Sequence, residues 1–191
     1  TILVPTTAGT GSEADNGVGV IARVESRLQK IVAGNPALYA DTAIIDPEMT
    51  LTLPPRQTAA CGMDALSHLI EGYLSRETFP VSDMFALKGV DLAFRSLRRA
   101  YHDGSDIKAR SDMALAATLG GYIFSFPWFI AYLGHAVSEY AGARFTVPHG
   151  VACGIALPYM MAFSLPACPE RLALLARTMD INCTGTTRAM A

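Results

Sequence analysis

PPRQTAACGMDALSHLIEGYLS, residues 54–75, marks a change from β-like to helical sequence in this chain. Pro55 suits the first turn of a helix, where the N–H that proline lacks has no intrahelical partner. The residues that follow have helical composition, interrupted only by Gly62 and Gly72. A long helix is therefore predicted over residues 56–75.

The rest of the chain falls on either side of this change. Four short β-like runs come before it: residues 1–5, 18–23, 30–33 and 42–46. An apolar stripe at helical spacing runs from Met84 to Tyr101, and Ser105 can cap a helix that continues to about Phe124. Two more helices are predicted at about residues 131–143 and 149–165. The pattern indicates the end of an α/β domain, residues 1–53, followed by a helical domain, residues 54–191. The strand-like opening run TILVP has no polar lead-in, and we expect a further portion upstream.

Composition excludes several classes of protein. With 51% hydrophobic and 17% charged residues, the chain should fold. The 15 Lys and Arg residues do not outnumber the 17 Asp and Glu residues, so nucleic acid is not an expected partner. No apolar run has the length of a membrane span, and no signal peptide is recognisable. The four cysteines show no CxxC spacing, which favours reduced thiols and a cytoplasmic setting.

Asp64 and His68 are the first candidates for a chemical site. Residues four apart on a helix point the same way, so this pair can place a carboxylate and an imidazole on one metal ion. The same spacing is also common on exposed helix faces. The predicted helix is apolar around most of its circumference, which favours burial of both side chains and a partner that offsets their desolvation.

Two further histidines lie in apolar surroundings, His135 in YLGHAV and His149 in VPHGVA. Together with Asp64 and His68 they match the ligand set of a catalytic Fe(II) or Zn(II) site. Each histidine taken alone can also be a core residue bonded to a backbone carbonyl. His102 lies in a polar HDG turn and is interpreted as a surface residue.

A second signal is the turn PTTAGTGSE, residues 5–13, which directly follows a strand-like run. Its small and hydroxyl residues allow backbone N–H groups to approach a phosphate or ribose, although a tight glycine turn without a ligand has the same composition. Gly9, Gly11 and Ala14 satisfy the dinucleotide-binding spacing G-x-G-x-x-A. That fingerprint requires a helix next, whereas GVGVIAR, residues 17–23, favours a strand, so we reject the Rossmann assignment.

Several motifs in register resemble the iron-containing (group III) alcohol dehydrogenases. They are VPTTAGTGSE (4–13), IDPE (45–48), LPP (53–55), GMDALSH (62–68) and VPHG (147–150). The resemblance covers nearly the whole chain and fades after about Phe163. It implies the dehydroquinate synthase-like architecture of that family: the C-terminal part of a nucleotide-binding α/β domain followed by a helical metal-binding domain, incomplete at both ends.

The resemblance also implies roles for individual residues. Its metal ligands fall on Asp64, His68, His135 and His149, and its cofactor contacts fall on Thr6, Thr7, Thr10 and Lys30. Lys30 can equally be an ordinary exposed lysine on a β-hairpin.

Two departures from the family pattern concern the active site. Many members carry a histidine four residues after the third ligand, where this chain has Glu139. Glu139 can be a proton-accepting catalytic residue, can orient His135, or can be a solvated helix residue. The sequence FPWFIAYLG, residues 126–134, replaces a stretch rich in glycine, and its rings either shape the substrate pocket or pack in the core.

The function that the resemblance implies is reversible hydride transfer between an alcohol and NAD or NADP, assisted by Fe(II) or by Zn(II). A small alcohol or aldehyde is the expected substrate, and a homo-oligomer is the expected assembly. Two alternatives stay open: a glycerol dehydrogenase-like or other relative in the same superfamily, and a non-catalytic fragment that acts as a structural or binding module.

Overall fold

The computed structural model describes residues 1–25, 27–125 and 133–181. The segment before Pro55 contains four strands, and the described residues after it form six helices. In chain order the strands are β1 (Ile2–Leu3), β2 (Gly17–Val24), β3 (Arg27–Gly34) and β4 (Thr42–Ala43), and the helices are α1 (Pro55–Leu74), α2 (Pro80–His102), α3 (Ile107–Ser125), α4 (Leu133–Phe145), α5 (His149–Ser164) and α6 (Pro169–Thr178).

The strands form two separate two-stranded sheets. β1 pairs in parallel with β4, and β2 pairs with β3 as an antiparallel hairpin in which Ile21 lies opposite Lys30. The strands predicted at residues 1–5 and 42–46 are shorter than expected, because only two residues of each take part in pairing. Most hairpin side chains are exposed in this chain, but β3 also contacts α4.

The helices follow the sequence pattern closely at α1 and α5, which begin or end within one residue of the predicted positions. The predicted cap of α3 is wrong. Asp106, not Ser105, caps this helix, since Asp106 Oδ1 accepts the N–H of Ala109 at 2.9 Å. The Ser105 hydroxyl instead donates to Asp103 at 2.6 Å. Helix α6 was not predicted.

Helix α1 lies at the centre of the helical part and contacts α2, α3, α4, α5 and α6. Its buried face is apolar on one side, where Leu69 and Ile70 pack with Val90 of α2 and Ile123 of α3 in one cluster. The other side of the same helix carries buried polar residues. Helix α1 therefore contributes both to the apolar core and to a buried polar site.

Helix α6 is attached to this core by Arg171. Its guanidinium donates to both Asp83 carboxylate oxygens, at 2.5 and 3.0 Å, and to the carbonyl of Tyr73. The same group lies 3.8 Å from the centre of the Tyr73 ring, a cation–π distance. Leu172 and Leu175 are buried beside it. No helix in the described part of the chain is long and apolar enough to cross a membrane.

Candidate metal centre

Helix α1 presents Asp64 and His68 on one buried face, as the four-residue spacing predicts. Asp64 is 4% exposed and His68 is 6% exposed. The Oδ1 atom of Asp64 lies 3.8 Å from Nε2 of His68.

Helices α4 and α5 bring the other two histidines to the same carboxylate oxygen. Nε2 of His135 lies 3.5 Å from Asp64 Oδ1, and Nε2 of His149 lies 3.4 Å from it. Because all three nitrogens are within 3.8 Å of one oxygen, no two of them can be more than twice that distance apart. The structure thus brings together the four side chains that sequence analysis selected from three helices.

The chemistry of this cluster fits a divalent metal ion. Asp64 Oδ1 is buried and accepts no hydrogen bond from the described residues. Leaving such an acceptor unsatisfied costs about 1–3 kcal/mol or more. Donor atoms bound at ~2.0–2.3 Å around one tetrahedral ion lie roughly 3.3–3.7 Å apart, close to the spacing of the oxygen from the three nitrogens.

The charges of the cluster also suit a cation. Burial raises the pKa of Asp64, but the neighbouring imidazoles of His68, His135 and His149 outweigh burial and hold it at about 2. Burial lowers the pKa of His68 to about 3, assisted by the nearby histidines. Asp64 is therefore ionised and His68 is neutral, the protonation states that metal binding needs. Burial lowers the pKa of His135, but its hydrogen bonds with Asp64, Cys153 and Glu71 outweigh burial and raise it to about 11, so a metal ion would have to displace a proton from this imidazole.

Glu71 is a buried residue of this centre that sequence reasoning missed. It is 4% exposed, and its Oε1 lies 2.8 Å from Nδ1 of His135. Its Oε2 accepts the backbone N–H groups of Gly134 at 2.9 Å and His135 at 3.2 Å. A carboxylate that holds one ring nitrogen of a ligating histidine fixes the tautomer and aims the other nitrogen at the metal. Glu71 follows Asp64 by seven residues and His68 by three, so helical geometry places it on the same helix face. This spacing could have identified it from the sequence.

Ser138 and Cys153 complete the surroundings of His149. The Cys153 thiol donates to Ser138 Oγ at 3.2 Å, and Ser138 Oγ donates to the carbonyl of His135 at 2.8 Å. Burial raises the pKa of the Cys153 thiol, but its bonds with His135 and His149 outweigh burial and lower it. Neither residue was selected from sequence, although Cys153 follows His149 by one helical turn.

The turn at residues 6–12 lies against α1 and α3. Gly11 has φ +63°, and a Cβ added there would lie 2.3 Å from the carbonyl oxygen of Ala117 in α3. A Cβ added at Gly9 would lie 2.9 Å from Cα and Cβ of Cys61, to whose thiol the side chain of Thr7 is hydrogen-bonded. Only residues without a side chain permit this approach. The turn is thus fixed beside the helix face that carries Asp64.

The three threonines named for cofactor binding lie in this turn. Thr6 and Thr10 are exposed and Thr7 is half-buried, so their hydroxyls are partly accessible. Their role in cofactor binding stays a prediction.

Lys30 of the hairpin and Glu139 of α4 lie together. Lys30 Nζ is 3.5 Å from Glu139 Oε1, and both side chains are half-buried. They line a polar pocket between the hairpin and α4, together with Arg23, Arg27 and Arg144. The pairing of these two candidates was not predicted, and it does not test either role. The rings at residues 126–132 lie outside the described residues, so their interpretation stays open.

Comparison with known proteins gives a consistent result. Residues 58–191 match the Fe-containing alcohol dehydrogenase family, C-terminal. Long-chain-alcohol dehydrogenase 1 of Geobacillus thermodenitrificans is 42% identical over 172 residues, which make up 90% of this chain and 42% of that protein. The solved alcohol dehydrogenase from Oenococcus oeni is 35% identical with a TM-score of 0.91, over 98% of this chain and 48% of that one. Sulfoacetaldehyde reductase from Bifidobacterium kashiwanohense, in complex with NAD+, is 29% identical with a TM-score of 0.78, over 95% of this chain and 52% of that one.

The chain spans about half the length of the relatives it matches. The likeness nevertheless extends over nearly all of this chain, at high identity and with the same fold. It confirms the predicted architecture. On its motifs, its fold and these matches, the chain belongs to the iron-containing alcohol dehydrogenase family.

Proposed function

We propose that this chain forms the metal-binding part of an NAD(P)-dependent alcohol dehydrogenase, which transfers a hydride reversibly between a primary or secondary alcohol and the nicotinamide. The observation that carries the proposal is the buried Asp64 oxygen with three imidazole nitrogens within 3.8 Å. Relatives support it, because two of the matched proteins are named alcohol dehydrogenases.

Asp64, His68, His135 and His149 would hold the ion, Fe(II) in this family, with Zn(II) as the other candidate. A bound ion supplies Lewis acidity, which lowers the pKa of an alcohol and polarises an aldehyde carbonyl. Glu71 orients His135 through the ring nitrogen that faces away from Asp64. The burial of Asp64 and His68 keeps water away from these two donors and strengthens their electrostatic interactions.

The nicotinamide cofactor, NAD or NADP, would lie against the turn at residues 6–12. Thr6, Thr7 and Thr10 would contact it from the turn, and Lys30 would contact it from the hairpin. This placement is supported by the packing of Gly9 and Thr7 on Cys61, three residues before Asp64 in α1. A cofactor on the turn would therefore be close to the oxygen of the substrate, as hydride transfer requires.

Glu139 is proposed as the proton acceptor. It lies one turn after His135, on the same face of α4, and its side chain is 30% exposed. Its ion pair with Lys30 would change when a cofactor binds to that lysine. The alcohol would then lose its hydride to the nicotinamide and its proton through Glu139.

The substrate would be a small alcohol or aldehyde, and the enzyme would be a homo-oligomer of a reducing compartment such as the cytoplasm. Three cysteines of the described chain, Cys61, Cys153 and Cys168, are free thiols, which supports the compartment. A glycerol dehydrogenase-like activity would use the same centre with another substrate.

Metal analysis and cofactor oxidation test this proposal together. We expect the protein, loaded with Fe(II) or Zn(II) without oxygen, to retain one ion per chain and to oxidise NADH or NADPH when an aldehyde is added. His68→Asn should lose the ion, whereas His102→Asn, outside the cluster, should keep it. Failure of the wild-type chain to retain either ion would contradict the proposal. Retention of an ion without cofactor oxidation would favour a non-catalytic metal-binding module.

A further inference from the structure

The pocket between the hairpin and α4 differs in charge from the rest of the chain. Four cationic side chains line it, Arg23, Arg27, Lys30 and Arg144, against one carboxylate, that of Glu139. Its lining therefore has a net charge of +3, whereas the whole chain has a net charge of −2. Cations gathered around one concave surface attract anions from solution. The charge of this pocket thus indicates a site for an anionic group.

The hairpin holds Lys30 apart from the three arginines. Lys30 lies opposite Ile21, and its stem crosses Gly19, where an added Cβ would lie 2.8 Å from Lys30 Cε. Its ammonium lies 3.5 Å from Glu139 Oε1. Because Lys30 and Glu139 balance each other, the excess positive charge of the pocket belongs to the arginines.

The arginines come from both walls of the pocket. Arg23 and Arg27 belong to β2 and β3, and Arg144 lies in the last turn of α4. Neither Arg27 nor Arg144 forms an ion pair with a residue in the described part of the chain. A guanidinium presents a planar fork of donors that matches the oxygens of a carboxylate, sulfonate or phosphate. Arginines on both walls can therefore bind such a group between them.

The pocket begins one helical turn from the metal centre. Glu139 follows His135 by four residues on the same face of α4, and Arg144 follows it by nine. At a rise of about 1.5 Å per residue, these positions lie roughly 6 and 14 Å from His135 along the helix axis. A substrate whose reacting oxygen lies at the metal centre can therefore extend a second group towards the arginines.

We propose that the substrate carries a carboxylate, sulfonate or phosphate besides its alcohol or aldehyde, and that Arg23, Arg27 and Arg144 bind this anionic group. The substrate class is then a short hydroxy acid or the corresponding aldehyde acid, not a neutral alcohol. Lys30 stays with Glu139 and the cofactor, as proposed above. This inference rests on the proposed function, whose substrate it specifies.

Binding can be measured without catalysis, by recording the arginine side-chain Nε–H signals in NMR spectra of the metal-free chain. Addition of 4-hydroxybutanoate should shift the signals of Arg23, Arg27 and Arg144, whereas the uncharged 4-hydroxybutanamide should not. The double variant Arg27→Gln/Arg144→Gln should bind the acid ~10-fold more weakly, because it lacks two charge-assisted donors. Arg98→Gln is the matched control, since Arg98 is exposed on α2, outside the pocket.

Kinetics test whether the bound group belongs to the substrate. With metal and cofactor supplied, the ratio of kcat/KM for the acid to kcat/KM for the amide should fall ~10-fold in the double variant and stay unchanged in Arg98→Gln. The diphosphate of the cofactor is the other source of an anionic group. In that case the double variant would raise the cofactor KM and keep the ratio, which would overturn the inference.

The outcomes separate this inference from the proposed function. If 4-hydroxybutanoate shifts none of the three arginine signals, the inference is overturned and the metal centre and hydride transfer still stand. Equal kcat/KM for the acid and the amide in the wild-type chain would also overturn it. Binding of the acid without oxidation of either compound would contradict the proposed function, and with it the assignment of this pocket to a substrate.

Discussion

Gly150→Ala should separate His149 from Asp64, because Gly150 is where α5 touches α1. A Cβ at this position would lie 1.9 Å from the carbonyl oxygen of Ala60 and 3.2 Å from Cβ of Asp64. Carbon and carbonyl oxygen normally touch at about 3.3 Å, so the helices must move apart by more than ~1 Å. His149 is the adjacent residue, and its Nε2 would move with the helix.

The expected loss follows from the precision that metal ligands need. Bond lengths at a metal site hold within ~0.2 Å, so a shift of ~1 Å in one ligand should weaken metal binding by about 10- to 100-fold. Overpacking at the contact should also destabilise the metal-free chain by about 1–3 kcal/mol.

Gly154→Ala is the matched control, one turn later on the same helix. Its added Cβ would meet only side-chain atoms of Met63, at 3.3–3.4 Å, and a flexible methionine can give way. Chelator competition gives the metal affinity of both variants, and urea unfolding of the metal-free proteins gives their stability. Equal affinity and equal stability in the two variants would refute the argument that this glycine sets the distance between the two ligands.

Three further predictions concern the surroundings of the site. Glu71→Gln leaves one acceptor oxygen fewer for the three groups that donate to Glu71, so metal affinity should fall ~10- to 100-fold. The same change at exposed Glu77 should have no effect on metal affinity. Normal metal affinity in both variants would exclude an orienting role for Glu71. Arg171→Ala should lower the free energy of unfolding by about 1–3 kcal/mol, because α6 loses its bonds to Asp83 and Tyr73. Arg95→Ala, at an exposed position, should lower it by at most ~1 kcal/mol. Equal decreases for the two variants in urea unfolding would contradict this prediction. In the metal-free chain, the pKa of His68 is about 3 in the folded state, compared with an ordinary value of 6.5. Between these two pH values the unfolded state binds a proton at His68 that the folded state does not bind. The free energy of unfolding should therefore fall as the pH drops from 6.5 towards 3. His68→Asn should show a weaker dependence over that range, and an unchanged slope would mean that His68 is not the group responsible.

The parts of the fold that could be predicted are those with local causes. The range of α1 follows from Pro55 at its start and from helical composition, and the alignment of Asp64 with His68 follows from helical geometry alone. The hairpin strands were recognised from their β-branched composition. The cap of α3 was assigned one residue too early, since both Ser105 and Asp106 can cap and only the chain path decides.

The parts that could not be predicted depend on contacts between distant residues. Glu71 acts on His135, 64 residues away, so its role exists only once α4 has packed beside α1. Cys153 comes close to Ser138 for the same reason, once α5 has packed beside α4. Helix α6 has ten residues, and much of its support comes from the bonds that Arg171 makes with Asp83 and Tyr73.

The most direct measurement of the central claim is a crystal structure of the iron-loaded protein, with anomalous scattering recorded at the iron absorption edge. The account predicts one anomalous peak inside the cluster, about 2.0–2.2 Å from Asp64 Oδ1 and from Nε2 of His68, His135 and His149. A peak elsewhere in the chain, or iron retained in solution with no peak between these side chains, would contradict it.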